Sequence, residues 1–263
     1  MNETMPPIKN FPLYMYRVFM KWFCYFSFGV GTLILVILVF PVMMIFFHPK
    51  DRFQKYARRF ISFCFRGFVK IFTFLGLLRM SPKNRDEYKN IKSSIIVANH
   101  PSHYDVVMVL SLINNADVIV RGNLSRNIIV LGVVRRLYIL SSLDFNDMIE
   151  SCKESLAKGN NIVIFPQGTR TPRSGVIKLK KGAARISLLT GAPIIPVHIG
   201  GNDKYGLGKG DPHTAFNHTE RYIYDIKIQK PIYPEKYSEL QPQKAVRRLN
   251  EEILQALQYP ENQ

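Results

Sequence analysis

Acidic residues are scarce in this chain. Its 263 residues carry 19 Asp and Glu against 36 Lys and Arg, a formal charge of +17 at pH 7. So basic a surface calls for an anionic partner, whether membrane lipid, nucleic acid or a phosphorylated substrate. Cysteine is equally sparse: Cys24, Cys64 and Cys152 are scattered without CxxC spacing, two of them inside apolar segments. That pattern argues against a disulfide framework and a structural zinc, and for a reducing compartment. The chain has no P-loop and no GxGxxG fingerprint, which disfavours nucleotide hydrolysis and dinucleotide binding. It also lacks the strained Gly-x-Ser-x-Gly elbow of hydrolases. No internal repeat or low-complexity tract breaks the sequence.

What the chain does have is a long apolar run. No charged residue occurs between positions 22 and 47, longer than the roughly 20 residues needed to cross a hydrocarbon core of about 30 Å. The run is too long for a signal h-region and no small-x-small cleavage site follows it, so it reads as a retained membrane anchor. Arg17 and Lys21 precede it, whereas Lys50, Arg52, Lys55, Arg58 and Arg59 follow. The heavier positive charge on the following side places the main domain in the cytoplasm. Residues 51–78 then interleave six Lys and Arg with many Phe and Ile. This reads as a helix lying among lipid headgroups, its aromatics immersed and its cations on anionic phosphates. The alternative is an ordinary core-facing helix. The adjoining charge-free run makes membrane lipid, and not nucleic acid, the partner.

Beyond a polar linker at 81–90, short apolar runs alternate with helical patterns. Strands are expected at 94–98, 116–120, 161–165 and 193–199, with an extended piece at 137–140. Helices are expected at 106–112, 124–131, 146–157 and 181–189; a late strand at 222–230 and a helix at 243–258 complete the chain. The alternation predicts an α/β fold: a mixed, partly parallel sheet flanked by helices, with N-terminal membrane-associated helices. Two units are expected, a membrane anchor with its basic interfacial helix over 1–80 and an α/β domain over 81–263.

Two polar islands follow expected strands, where working residues gather in such sheets. The first is Asn99-His100-Pro101-Ser102-His103-Tyr104-Asp105 and the second Phe165-Pro166-Gln167-Gly168-Thr169-Arg170. An imidazole deprotonates a hydroxyl effectively when a carboxylate fixes its tautomer and stabilises the imidazolium. Asp105 is placed to do this for His100; its bland alternative is to cap the next helix. His100 and His103 with one carboxylate make a poor metal set. In the second island a glycine turn, a guanidinium and a basic helix start suit a phosphate, though most Gly-Thr-Arg tripeptides are plain surface turns. The glycine-rich basic stretch 200–210 reads as a flexible loop.

Asn-His-x4-Asp, then Phe-Pro-x-Gly-Thr-Arg beginning 65 positions after His100, then Lys-Lys-Gly-Ala and Ile195-Pro196-Val197, resembles the PlsC-like glycerophosphate and lysophosphatidic acid acyltransferase family over about residues 90–200. The resemblance implies a membrane-bound enzyme; the compact length and single catalytic region point to a bacterial one, which the flanking charges place on the cytoplasmic side of the inner membrane. It would move an acyl group from acyl carrier protein or coenzyme A to a glycerolipid hydroxyl, with no other cofactor and no metal. His100 would be the general base and Asp105 its orienter. Gly168 and Arg170 would bind the acceptor's phosphate, Gln167 and Thr169 would line the same substrate site, Pro196 would help shape it, and Arg121 would supply a further cation. Ser102 as a nucleophile is the lesser reading. Two departures stand out. Gln167 replaces the family's usual acid, and the arginine that often closes the second block is absent around positions 141–144. They open two other readings, a specialised acceptor (another lysophospholipid, an amino-acid lipid or a polyene lipid) and a catalytically silent lipid-binding protein.

Overall fold

The computed structural model describes residues 5–83, 85–120, 137–141, 144–172 and 176–258. The expected helix at 124–131 lies outside them. Asn10 caps the first helix, α1 (Phe11–Ile34), by accepting the Leu13 N–H at 3.0 Å, and Pro12 occupies the opening turn, where a missing N–H loses no intrahelical bond. The helix continues through a widened turn, Leu35–Val39, into α2 (Phe40–Phe46). Pro41 accounts for the widening. It has no N–H and its ring crowds the carbonyl four residues back, and the Phe40 N–H reaches Leu35 O, five residues back.

This 36-residue helix is long and apolar enough to cross a membrane. It starts eleven residues before the expected run because its first half is packed against the domain. Lys21 and Cys24 are fully buried there, with Tyr14, Val18 and Tyr25 against the main core. Lys21 is therefore no headgroup-facing flank, which corrects one cation in the topology argument. The second half leaves Leu33, Leu38, Ile45 and Phe46 exposed.

Helix α3 (Lys50–Phe74) combines the two roles weighed for it. Phe53, Ala57, Ile61, Val69 and Phe72 recur at helical spacing and are buried, against α2 and the domain helix α5 (Asp105–Leu112). The other side exposes Phe63, Ile71 and Phe74 beside Arg59 and Lys70. Arg58, read from the sequence as a headgroup ligand, is instead buried. Its Nε and Nη2 donate to Asp117 Oδ1 and Oδ2 at 2.6 and 2.9 Å.

The sheet has seven strands: β1 (Leu78–Pro82), β2 (Ile95–Ala98), β3 (Ala116–Val120), β4 (Ile139–Leu140), β5 (Asn161–Ile164), β6 (Ile194–Gly201) and β7 (Tyr222–Ile228). Their order is β1-β7-β6-β2-β5-β3-β4. Only β6 and β7 pair antiparallel; all other neighbours are parallel. This is the mixed α/β sheet expected from the alternation, and the part of it that is parallel is the larger part. One face packs on α1, α3 and α5. The other packs on α6 (Phe145–Ala157), α7 (Gly182–Thr190) and α8 (Pro242–Gln258).

The supposed linker at 81–90 is structured. Its start belongs to β1, an edge strand that pairs with β7 from Leu78↔Tyr222 to Pro82↔Ile226. Its end forms α4 (Arg85–Asn90), where buried Tyr88 donates to Ile226 O at 2.9 Å. An edge strand carries few apolar residues, so its pattern resembles a loop; pairing with β7 satisfies its backbone.

Candidate active site

The islands are 65 positions apart in sequence, and the sheet brings them together. Strand β2 lies between β5 and β6, parallel to both, with Val97 level with Ile164 and with Pro196. All three strands therefore end at one edge, which is where α/β sheets place their ligands. Asn99 prolongs the ladder past β2: its Oδ1 accepts the Ile199 N–H at 2.7 Å and its Nδ2 donates to Ile199 O at 2.9 Å.

In the first island the backbone turns so that Asp105, fully buried, faces back toward His100. Asp105 Oδ2 accepts from His100 Nδ1 at 2.8 Å and from the Ser102 N–H at 2.6 Å, and Oδ1 accepts the Ser102 hydroxyl at 2.5 Å. A carboxylate can only accept, so Nδ1 carries the ring proton. Nε2 keeps its lone pair. Ser102 is buried and its hydroxyl proton is committed to Asp105, an arrangement that suits a support for the carboxylate and not a nucleophile.

The second island is latched to the first. Gln167 Oε1 accepts the His100 N–H at 3.0 Å and the Thr171 hydroxyl at 2.9 Å, while the Thr171 N–H donates to His100 O at 2.6 Å. Buried Gln167 thus supplies the two acceptor contacts a carboxylate could supply, without its charge. Gly168 sits at φ +65°, a left-handed turn that glycine enters without strain. Thr169 is exposed. Arg170 directs Nη1 to Leu207 O at 2.9 Å and to Gly208 O.

The stretch expected to be a flexible loop is a packed one. Leu207 and Phe216 are fully buried. Asp211 Oδ2 accepts the Gly206 and Gly208 N–H groups at 2.9 and 3.0 Å. Lys21 reaches in from α1 to Gly206 O at 3.3 Å and to Ala215 O. At Gly206 (φ +88°) a Cβ would lie 2.0 Å from Ala215 O, so only glycine fits. The sequence signalled a turn there; the buried lysine that makes it rigid comes from a helix some 185 positions away.

One predicted site residue, Pro196, lies on the other face of the sheet from the dyad. Pro196 is buried within β6 and shares a sheet face with His198, whose Nδ1 meets Leu257 O on α8, on the side opposite α5. Arg121 lies outside the described residues, as do Ser142 and Leu143 of the altered second block. Missed by sequence reasoning are Tyr224 and Lys204. Tyr224 Oη lies 2.7 Å from Ser102 Oγ, and the Lys204 ammonium is 4.8 Å from the Tyr224 ring centre.

An apolar groove of about 470 Å³ opens beside the dyad, lined by Trp22, Tyr25, Phe28, His103, Tyr104, Val107 and His213. Burial, then the charges of Arg170, His213, His100 and Lys21, pull the His103 pKa down to about 4, so its ring is neutral at pH 7. Burial lowers Lys204 to about 8, opposed by Asp105, Asp203 and Glu220. A larger polar cleft of about 690 Å³ lies around Arg58 and Asp117, apart from the dyad. Among the described residues no three His, Cys, Asp or Glu side chains come together to hold a metal.

Residues 79–200 match the family model described as Acyltransferase. A chloroplastic 1-acyl-sn-glycerol-3-phosphate acyltransferase of Brassica napus is 28% identical over 221 residues, 79% of this chain and 59% of the relative. The Cocos nucifera enzyme of the same name is 31% identical over 125 residues, 44% and 39% of the two chains. The chain thus spans about half the length of the curated relatives it matches. The crystal structure of the 1-acyl-sn-glycerophosphate acyltransferase PlsC from Thermotoga maritima shares the fold, with a TM-score of 0.66 at 20% identity over 94% of this chain and 98% of that one. Both islands lie inside the segment that matches the Acyltransferase model, and the fold that joins them is the one seen in the Thermotoga maritima protein.

Proposed function

We propose that this protein is a membrane-bound O-acyltransferase that moves a fatty acyl group from an acyl thioester to the hydroxyl of lysophosphatidic acid or a closely related lysolipid. The observation that carries this reading is the His100–Asp105 pair, 2.8 Å apart with Nε2 left as base, in an island whose His103 and Tyr104 line an apolar groove, and latched to the island bearing Arg170. His100 Nε2 takes the acceptor's hydroxyl proton as its oxygen attacks the thioester carbonyl. The tetrahedral intermediate collapses, the C–S bond breaks, and the imidazolium returns the proton to the leaving thiolate. No acyl-enzyme is needed. Asp105 stabilises the transient imidazolium, an arrangement of the kind that contributes about 10²–10⁴-fold to rate.

The groove suits the acyl chain. Gly168, Thr169 and Arg170 suit the acceptor phosphate, with Nε and Nη2 of Arg170 as the donors it would meet. Gln167 acts as the latch between the islands, so its uncharged side chain argues neither for a silent protein nor for a specialised acceptor. The donor is the thioester of acyl carrier protein or coenzyme A. The apolar second half of the first helix holds the protein to the membrane, and the sheet with its packed helices carries the chemistry. The cations after α2 support a catalytic domain on the cytoplasmic side of a bacterial inner membrane, although a plant chloroplast protein is among the relatives.

The test is to incubate membranes bearing the protein with labelled acyl thioester and lysophosphatidic acid, beside the His100→Ala variant. Label in phosphatidic acid with the native chain and its loss in the variant is the expected result. Equal label from both would overturn the His100 mechanism. No transfer from either, with transfer to another lysolipid, would relocate the acceptor.

A further inference from the structure

Asp105 is held by a chain of hydroxyls that begins on a distant strand. We infer that Tyr224, on β7, is a positioning residue that tunes the basicity of His100 through Ser102 and Asp105. The inference rests on the reading of His100 as general base. The bond directions follow from the donors available. Asp105 Oδ1 accepts at 2.5 Å and has no proton of its own to give, so the Ser102 hydroxyl proton points to it. With its one proton used, Ser102 Oγ can only accept from Tyr224 Oη at 2.7 Å. The phenol therefore donates. Its proton is secure, because Tyr224 is fully buried and burial holds its pKa well above the usual phenol value. The Lys204 ammonium, 4.8 Å from the ring centre and anchored on Gly200 O at 3.2 Å, draws electron density from the ring and sharpens the phenol as a donor.

Each bond in such a chain polarises the next. Donation from Tyr224 strengthens the Ser102–Asp105 bond and draws negative charge away from Oδ2, the oxygen that faces His100. Tyr224→Phe reverses this. Oδ2 then carries more charge, imidazolium is better stabilised, and the His100 pKa rises. Ser102→Ala, which removes the donor itself, raises it further. The charged and titratable neighbours are His103 and Asp105 of the first island, Arg170 of the second, Lys204 and His213 of the loop after β6, and Lys21 and Tyr25 of α1. Phenylalanine at 224 alters none of their charges.

The experiment is an NMR titration of the His100 imidazole in the full-length protein in detergent micelles, assigned with His100→Gln. Native chain, Tyr224→Phe, Ser102→Ala and the double variant are compared, with thermal unfolding of each as a check on folding. The His100 pKa is expected to rise by about 0.3 in Tyr224→Phe, a twofold change in protonation constant, and further in Ser102→Ala. In the double variant it should match Ser102→Ala alone, because Tyr224 acts through Ser102. An unchanged pKa in Tyr224→Phe overturns the inference. So does a Tyr224→Phe increment that persists in full without Ser102. The acid limb of acyl transfer should follow the same order. A protein that transfers no acyl group would count against the proposed function, while the imidazole titration would still decide the relay.

Discussion

Two buried aspartates in this protein receive almost the same treatment from different partners. Asp105 accepts three hydrogen bonds, from His100 Nδ1, the Ser102 N–H and the Ser102 hydroxyl. Asp117, on β3, also accepts three, from Nε and Nη2 of Arg58 and from the Ser155 hydroxyl. The difference lies in the cationic partner. Arg58 is permanently charged and spends its fork on the carboxylate, so the pair ties α3 to the sheet and nothing can be transferred. His100 uses one nitrogen on Asp105 and keeps the other for a proton. A buried carboxylate by itself therefore indicates neither structure nor chemistry; the free valence on its partner decides.

Substitutions can break that comparison. The largest effect on activity is expected from His100→Ala, a loss of about 10²–10⁴-fold. Its thermal unfolding should stay near that of the native chain, since Asp105 keeps both Ser102 donors. Arg58→Met should do the converse. Leaving Asp117 buried without its cation costs about 3–5 kcal/mol, read by urea unfolding, while the turnover of the molecules that remain folded holds. Equal stability losses in the two variants would erase the distinction.

Asp105→Asn comes next. An amide turns its N–H groups toward the Ser102 hydroxyl in one flip and toward His100 Nδ1 and the Ser102 N–H in the other, so the variant should lose most of its acyl transfer and about 1–3 kcal/mol of stability. Full activity in this variant would remove Asp105 from the mechanism.

The smallest effect concerns His103, whose pKa of about 4 lies below its unfolded value of 6.5. As pH falls below 6.5 the unfolded chain takes up a proton that the folded chain refuses. Stability should therefore decline as pH falls from 6.5 toward 4, and His103→Asn should flatten that slope. A steeper slope in the variant would contradict the assignment.

Much of the sheet was legible because its central strands are buried on both faces and read as unbroken apolar runs; Ile95-Ile96-Val97-Ala98 and Asn161-Ile162-Val163-Ile164 are examples. Strand β1 and helix α4 were missed for the opposite reason. They lie at an edge where half the residues face water, and only pairing with β7 distinguishes them from a linker. The dyad was legible because His100 and Asp105 are five residues apart, within reach of one turn. Tyr224 was not: nothing in a strand reading Tyr-Ile-Tyr-Asp-Ile-Lys-Ile says which tyrosine meets a serine 122 positions earlier. Arg58 was misread because its spacing among aromatics is that of its neighbours Arg59 and Lys55, and only helix rotation separates a buried cation from an exposed one.

The sequence by itself determined the alternation that builds the sheet, the long apolar helix and the residue types of both islands, since these rest on local periodicity and short-range spacing. Tertiary structure alone decided that β2 would lie between β5 and β6, so that the islands meet. It also decided that Gln167 would become their latch, that Arg170 would lean on the loop after β6, and that Lys21 would leave the lipid side for the Gly206 and Ala215 carbonyls. Those outcomes depend on which buried polar groups find partners across the fold, and an unpartnered group in the interior is too costly to leave to chance.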